Sequence, residues 1–535
     1  VGDYTDWLIK ASDRDNATTI LDRIHPGDEA WSHHNLVRPL IHGATYFAEL
    51  YARLEETGPG DLVYFTDWRG DADEQLTDDP DSKVVNVLSR ADRRGADVRG
   101  LIWRSHWDKL SFSAKQNAYL GKQLQDAGAE VLLDMRVRTG GSHHQKFVVI
   151  RHGDDPSRDI AFVGGIDLCH SRRDTIAHDG DPQPLPMAKE YGPTPAWHDV
   201  QAAIQGPAVH DVETVFRERW LDPTPLSRFP AHWLQDRLSG QDTSPDPLSP
   251  QNPPPPPVPG GQHTVQLLRT YPNLRHGRDY PFARGGERSV ARGYSKALER
   301  AQKLVYIEDQ YLWSDDVAEH FRQTLDNSPD LHVIAVLPIY TDSEGLAREA
   351  ELRGRRTALS VLAEAGGDRV AVYGIENEKG VPIYVHAKVC VMDDWWASIG
   401  SDNFNRRSWT HDSELSAVVI DQTADDHSVY ARRLRLTLAA EHLGRELGAD
   451  DDVLEVMADC VDSNAMFAAY AESAARLDAW YEGGQLGERP VGRLRRLDAT
   501  PKPHRRAEQP LVATLYQNLH DPDGRPAPLR RQAKF

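Results

Sequence analysis

The sequence predicts an α/β protein made of two duplicated lobes, each a mixed β-sheet flanked by helices, with the active site at the pseudo-twofold interface. Three observations carry this. Apolar β-formers run through Ile383-Tyr-Val-His-Ala-Lys-Val-Cys-Val-Met392, break at Asp393-Asp-Trp-Trp396 and resume into Ile399-Gly-Ser-Asp-Asn-Phe-Asn405. Side chains two apart on a strand share a face, so His386 and Lys388 point one way while Val385, Ala387, Val389 and Val391 pack behind them. Ser142-His-His-Gln-Lys-Phe-Val-Val-Ile150 repeats the arrangement with His144 and Lys146, and Ala161-Phe-Val-Gly-Gly-Ile-Asp167 repeats the following strand and small-residue turn. A repeat this far along the chain is a duplicated half-site rather than a local motif.

Strands and helices alternate in both halves. Residues 1–60 read as polar helical material, with the first helix of the fold at His42–Leu50. Asp61–Phe65 follows as a strand, Val84–Arg94 as an amphipathic helix, and Val98–Trp103 and Glu130–Leu133 as strands with a helix between them. Pro253 to Pro257 sit in a stretch, 241–262, that cannot join a sheet or helix and reads as an extended connector. Beyond it the order repeats: strand Thr264–Leu268, helix Ser289–Ala301, strand Leu304–Ile307, helix Val317–Leu325, strand Leu331–Leu337, helix Leu346–Glu364, strand Val370–Tyr373. The domains expected are 1–240, the linker 241–262, 263–447, and an extension 448–535, helical over Val453–Trp480 and then irregular and rich in Pro and Arg.

Composition narrows the function. With 62 basic against 82 acidic residues the formal charge is −20, which disfavours long-range attraction to nucleic acid. Cys169, Cys390 and Cys460 make no disulfide framework and read as buried small hydrophobes. No apolar run approaches a membrane span, so the protein is expected to be soluble or peripheral to a membrane, cytoplasmic or secreted after removal of a signal, and monomeric.

His-x-Lys-x4-Asp at His386, Lys388 and Asp393, with Gly400-Ser401-x-Asn403 and Arg407-Ser408, resembles the second signature of the phospholipase D superfamily. His-His-x-Lys and Gly164-Gly-Ile-Asp-Leu-Cys169, followed by Arg173-Asp-Thr175, resemble the first signature of its plant and animal branch. Trp197-His-Asp-Val200, Gly206-Pro207, Val265–Arg269 and Tyr306–Tyr311 agree, and the similarity runs from about Leu40 to Gly444. One residue departs: Arg151 stands where that signature has Asp, ahead of a charged insertion from His152 to Asp159. Asp154 or Asp155 is expected to take over, if anything does.

Breaking a phosphodiester requires a nucleophile on one side of phosphorus, an acid for the departing alcohol on the other, and positive donors on the non-bridging oxygens. Two histidines face to face supply the first two, and Lys146 and Lys388 the third. The resemblance implies that His144 attacks to give a phosphohistidine while His386 protonates the leaving alcohol. It also places Asp199 as the carboxylate partner of His144 and Glu414 as that of His386. Gly165 and Asp167, with Ser401 and Asn403 as their second-half counterparts, are expected to bind substrate phosphate or to lock the turn. Asp393 is a structural residue of the motif, and His143 points to the opposite strand face.

No residue spacing marks a zinc site, so no metal ligand is assigned and no cofactor is required, although calcium at Asp-rich loops is possible because the plant relatives use it. The expected function is a phospholipase D that hydrolyses glycerophospholipids to phosphatidic acid and transfers the phosphatidyl group to alcohols. A phosphatidyltransferase or nuclease of the same superfamily, or an inactive lipid-binding homologue, are the alternatives. The expected partners are phospholipid at a membrane or micelle surface and alcohol acceptors, with no nucleic acid. Trp395-Trp396 or Trp103–Trp107 are the candidate loops for inserting into lipid, and Trp68, Trp103 and Trp107 either line a substrate mouth or belong to the core.

Overall fold

The computed structural model describes residues 4–106, 113–274, 278–421, 426–498, 509–532 and 535. The first half carries β1 (Ser32–Ile41), β2 (Leu62–Asp67), β3 (Asp97–Trp103), β4 (Glu130–Asp134), β5 (Phe147–Arg151), β6 (Ile160–Gly164), β7 (Ala196–His198) and β8 (Val200–Gln205). The second carries β9 (His263–Tyr271), β10 (Glu287–Arg288), β11 (Leu304–Glu308), β12 (His332–Val336), β13 (Val370–Ile375), β14 (Ile383–Val385), β15 (Val389–Met392), β16 (Trp396–Gly400) and β17 (Glu414–Asp421). β18 (Leu494–Arg496) follows.

Hydrogen bonding orders the first set β1-β8-β6-β5-β2-β3-β4 and the second β9-β17-β16-β15-β11-β12-β13, with β18 beyond β13. Exchanging each strand for its counterpart turns one order into the other, so the duplication extends to topology. The parallel runs β2-β3-β4 and β11-β12-β13 are each connected by two crossover helices, Val84–Arg93 and Ala114–Ala127 in one half, Asp315–Asn327 and Gly345–Gly366 in the other. Strands covered on both faces need no polar alternation, and all six residues of β2 and of β13 are buried.

Three apolar cores result. One lies under the first-half crossover helices, a second under those of the second half, and a third is shared. The helices Ala208–Trp220 and Val429–His442 close the shared core and are buried over almost their whole length.

Three expectations are corrected here. Residues 32–41 are not helical: β1 pairs with β8 on one side and, through Ser32–Val265 and Asn35–His263, with β9 on the other, fusing the half-sheets into one. Its His, Asn, Arg and Pro residues hid a strand that is only half-buried and takes its apolar contacts at intervals. Within the Pro- and Arg-rich tail, Leu494–Arg496 is an edge strand rather than irregular chain, paired antiparallel with Tyr373–Ile375.

The third correction concerns Arg151. Asp154 and Asp155 are exposed, and Asp155 merely caps Ser157. In the second half, Asp393 accepts the backbone N–H groups of Gln302, Lys303 and Leu304, tying the turn to the start of β11. The first half reverses the direction: Asp61, just before β2, accepts from Gly153 N at 3.1 Å and lies 3.1 Å from His152 Nδ1. Arg151 is itself buried and bonds Asp159 at 2.6 Å, Glu213 at 2.5 Å and the Pro253 carbonyl at 2.7 Å. Arg151→Ala leaves buried Asp159 without its cation and takes one of two arginines from Glu213, which keeps Arg217, a change that costs about 3–5 kcal/mol. A clear fall in the urea midpoint at unchanged slope is the expected result, and an unchanged midpoint would contradict it.

Candidate active site

β7 and β14 form a separate parallel ribbon, one strand from each half, in register Ile383–Ala196, Tyr384–Trp197 and Val385–His198. It ends with the His386 and Ala387 N–H groups both donating to the His198 carbonyl, at 2.8 and 3.1 Å. At the pseudo-symmetric place His143 bridges Ser413, and His144 N donates to the Ser413 carbonyl at 2.9 Å. The residue after each of these carbonyls is a carboxylate. Asp199 therefore lies beside His386 and Glu414 beside His144.

The contacts are direct. His386 Nδ1 is 2.6 Å from Asp199 Oδ2, and His144 Nδ1 is 2.9 Å from Glu414 Oε2. All six expected catalytic residues come together, but the carboxylate partners are crossed relative to the assignment made from sequence. Asp199 was placed with the histidine of its own half. The ribbon exchanges neighbours across the pseudo-twofold axis, and nothing in a linear sequence records that exchange. Each half is consequently incomplete alone, because its histidine is oriented by a carboxylate from the other.

A partner on Nδ1 fixes the tautomer and leaves Nε2 of each ring for substrate. The lysines are held in the same way in both halves: Lys146 Nζ donates to the His144 carbonyl at 2.9 Å, and Lys388 Nζ to the His386 carbonyl. Lys388 also reaches Gln310 Oε1 at 3.3 Å, and Lys146 lies 3.6 Å from Asp167 Oδ1. His386 and Lys388 are not inside a continuous strand. They occupy the link between β14 and β15, where the chain leaves the ribbon for the main sheet.

Burial dominates the electrostatics. It holds both imidazoles well below their ordinary range, with the lysines adding to the effect. It pushes Glu414 up to about 8, with Asp412 adding, and raises Asp199. It lowers Lys388 to about 8, which leaves this ammonium largely charged near neutrality. A site that disfavours charge when empty gains most from an anion carrying charge between two lysines.

The small-residue turns act on the carboxylates. A Cβ at Gly165 would sit 2.3 Å from Asp199 Oδ1, so only glycine lets Asp199 approach. At the equivalent position Ser401 Oγ donates to Glu414 Oε2 at 2.5 Å. Asp167 accepts from Trp68 N and Arg69 N, and its Oδ2 has no partner; Asn403 is buried, with its Oδ1 also unpartnered. His143 is fully buried beside Gln145, away from the paired rings.

Several residues went unassigned from sequence. Asp67 and Asp309 end equivalent strands and accept the N–H groups of Leu168 and Phe404, fixing the loop behind each turn. Trp197 lies 4.9 Å from His386, and Trp68 lies 6.1 Å from His144 and 6.0 Å from Lys146 Nζ. Trp68 is thus a wall of the site, Trp103 is core, and Trp107 lies outside the described residues. Repetition signalled the histidines and also marks Asp67 and Asp309, which the reading passed over; Trp68 and Trp197 have no tryptophan counterpart in the other half and had no such signal.

Two half-sites, each with His, Lys and a borrowed carboxylate, make up the candidate site. Residues 62–227 match the family model described as Phospholipase D, and residues 294–434 match that described as Cardiolipin synthase, PLD-like domain. The chain belongs to the phospholipase D superfamily. It is 23% identical over 513 residues to Phospholipase D alpha 1 of Arabidopsis thaliana, covering 72% of this chain and 62% of that protein. It is 28% identical over 375 residues to Phospholipase D beta 1 of Arabidopsis thaliana, covering 51% and 34%. The chain thus spans less than two thirds of the length of these relatives. Among solved structures, phosphatidylserine synthase of Haemophilus influenzae Rd KW20 is similar, with a TM-score of 0.48, 14% identity, and coverage of 72% of this chain and 82% of that one.

Proposed function

We propose that this protein is a phospholipase D, hydrolysing glycerophospholipids such as phosphatidylcholine to phosphatidic acid and transferring the phosphatidyl group to alcohols. The observation that carries the reading is the pair of crossed His–carboxylate contacts with a lysine beside each ring. His144 Nε2 attacks phosphorus as the P–O bond to the head group breaks, and His386, which takes up a proton on Nε2 as the phosphate anion binds beside it, gives that proton to the departing alcohol oxygen. Water or another alcohol then attacks from the vacated side, His386 takes its proton, and the P–N bond to His144 breaks. His144 has the more open side chain of the two, 15% against 7% exposed, in keeping with the attacking role. Lys146 and Lys388 take the charge on the non-bridging oxygens.

A lipid rather than a nucleic acid is favoured by the net charge of −20 and by the names of the similar plant proteins. In the Asp-rich loop considered for calcium, Asp71, Asp73, Asp78 and Asp79 are engaged with Arg69, His170, Arg173 and the Asp81 N–H. The test is incubation with mixed phosphatidylcholine, phosphatidylethanolamine and phosphatidylglycerol micelles plus ethanol, with products read by mass. Phosphatidic acid and phosphatidylethanol are expected; no product from any lipid would turn the reading to other phosphodiesters or to an inactive lipid-binding protein.

Of the residues expected to insert into lipid, Trp396 and Trp103 are buried and Trp395 packs on the core, while Trp107 lies outside the described residues. Helix Pro230–Ser239 offers a better face. Trp233 is 62% and Leu238 79% exposed, with Phe229 and Leu234 beside them and Arg228 and Arg237 exposed at the same place. Asp236 ties this helix to Arg104 at 2.6 and 2.8 Å, next to Trp103, which stacks on Trp68 beside His144. The pair Trp233→Ser and Leu238→Ser gives up roughly 1.5–3 kcal/mol per side chain that enters lipid. Vesicle binding and vesicle turnover are expected to fall at least about tenfold with turnover of a short-chain monomer unchanged; equal loss on both would contradict a lipid-facing helix.

A further inference from the structure

Behind the β7–β14 ribbon, and separate from the paired catalytic rings, lies a closed cluster of histidines and carboxylates. Glu441, from helix Val429–His442, faces His42 Nε2 at 3.0 Å, His178 Nε2 at 2.8 Å and His198 Nδ1 at 3.5 Å. His42 follows β1, His178 lies in the loop before β7, and His198 ends β7, so three parts of the first half meet one helix of the second. All four side chains are buried, and a ligand atom from each lies within 4.8 Å of every other. His198 Nδ1 makes no hydrogen bond.

The outer sides of two rings are also built. His198 Nε2 lies 2.6 Å from Glu308 Oε2, and His178 Nδ1 lies 3.4 Å from Asp174 Oδ2. Glu308 behind His198 fixes the tautomer in which its inner nitrogen carries a lone pair, as carboxylates do for metal-bound histidines. That lone pair faces the Glu441 carboxylate at 3.5 Å, an arrangement that repels unless a cation or a proton lies between. The charge count points the same way. Asp174, Glu308 and Glu441 are three buried carboxylates, and Arg493, 3.1 Å from Glu441, contributes one positive charge. Two further positive charges balance the cluster, which one divalent ion or two imidazolium protons would supply.

We propose that His42, His178, His198 and Glu441 bind a zinc ion, in a structural site closed by four protein ligands. Three imidazoles and one carboxylate suit tetrahedral zinc, whose ligands at about 2.0–2.1 Å from the metal lie ~3.3 Å apart. The ion would clamp the segment that builds the reaction centre: the carbonyl of His198 receives the His386 N–H, and Asp199 is the next residue. Asp174 in turn accepts Trp197 N at 2.7 Å. The residue spacing contained no sign of this site, because its ligands come from four separate segments.

The test is metal analysis of the full chain purified from zinc-replete culture, with a second preparation grown in zinc-depleted, cobalt-supplemented medium. One equivalent of zinc per chain is expected, with the intense visible bands of four-coordinate cobalt in the second preparation. His42→Ala is expected to reduce the bound metal at least tenfold. His442→Gln, which touches Glu308 but is not a ligand, is expected to retain it. Should His42→Ala fail to fold, His178→Gln serves in its place. Chain free of zinc and of cobalt bands, folded and with an unshifted Tm, would overturn the proposal and show the cluster to be neutralised by two imidazolium protons instead. Both readouts are independent of whether phospholipid is the substrate.

Discussion

His144→Ala is expected to abolish turnover, lowering kcat on the order of 10⁴–10⁶-fold, because it removes the atom that bonds phosphorus. His386→Ala is expected to lose a similar factor on natural lipids, whose alcohols leave poorly without a proton. The two variants separate when the head group is p-nitrophenol, which departs unaided. His386→Ala then releases about one equivalent of nitrophenol in a burst and stalls, since nothing activates water for the second displacement. His144→Ala gives no burst. Bursts from both variants, or from neither, would contradict the assignment of attack to His144. Each substitution also removes a buried His–carboxylate contact, so a circular dichroism spectrum of folded protein should accompany the loss.

Glu414→Gln and Asp199→Asn are expected to lower kcat by about 10²–10⁴-fold, the range seen when the carboxylate orienting a catalytic imidazole is replaced by its amide. The crossed contacts decide which step each one slows. Glu414 holds His144, so Glu414→Gln slows the nitrophenol burst itself. Asp199 holds His386, so Asp199→Asn leaves the burst and slows the steady state that follows. The arrangement first expected, with each carboxylate serving the histidine of its own half, predicts the reverse. Stopped-flow release of nitrophenol therefore tests the geometry of the interface as well as the chemistry.

Much of this was legible in the residues. The duplicated His-x-Lys pairs, the strands around them and the order of the second half were readable because apolar period and repetition are local properties. Asp393 was read as structural, and at the end of its buried strand it accepts three backbone N–H groups. What escaped depends on contacts between distant segments. β1 carries few apolar residues because it is supported on both edges by β8 and β9 rather than by a continuous apolar face. Arg151 looked like a lost acid, yet Asp61 and Asp159 perform its work from either side. Ser401 and Gly165 were read as binding phosphate or locking the turn, and the contact each makes, with Glu414 and Asp199, is not written in the residues around it. The exchange of carboxylates follows from a two-stranded ribbon whose register is set only when the halves meet.

The most direct test of the central claim is to capture the intermediate. Enzyme mixed with a short-chain phosphatidyl-p-nitrophenol, quenched in base within one turnover and digested, should yield a phosphatidyl adduct on the peptide containing His144. The adduct should accumulate in His386→Ala and disappear on adding ethanol to wild type, with phosphatidylethanol in its place. An adduct on the His386 peptide, or turnover with no adduct on any peptide, would contradict covalent transfer through His144.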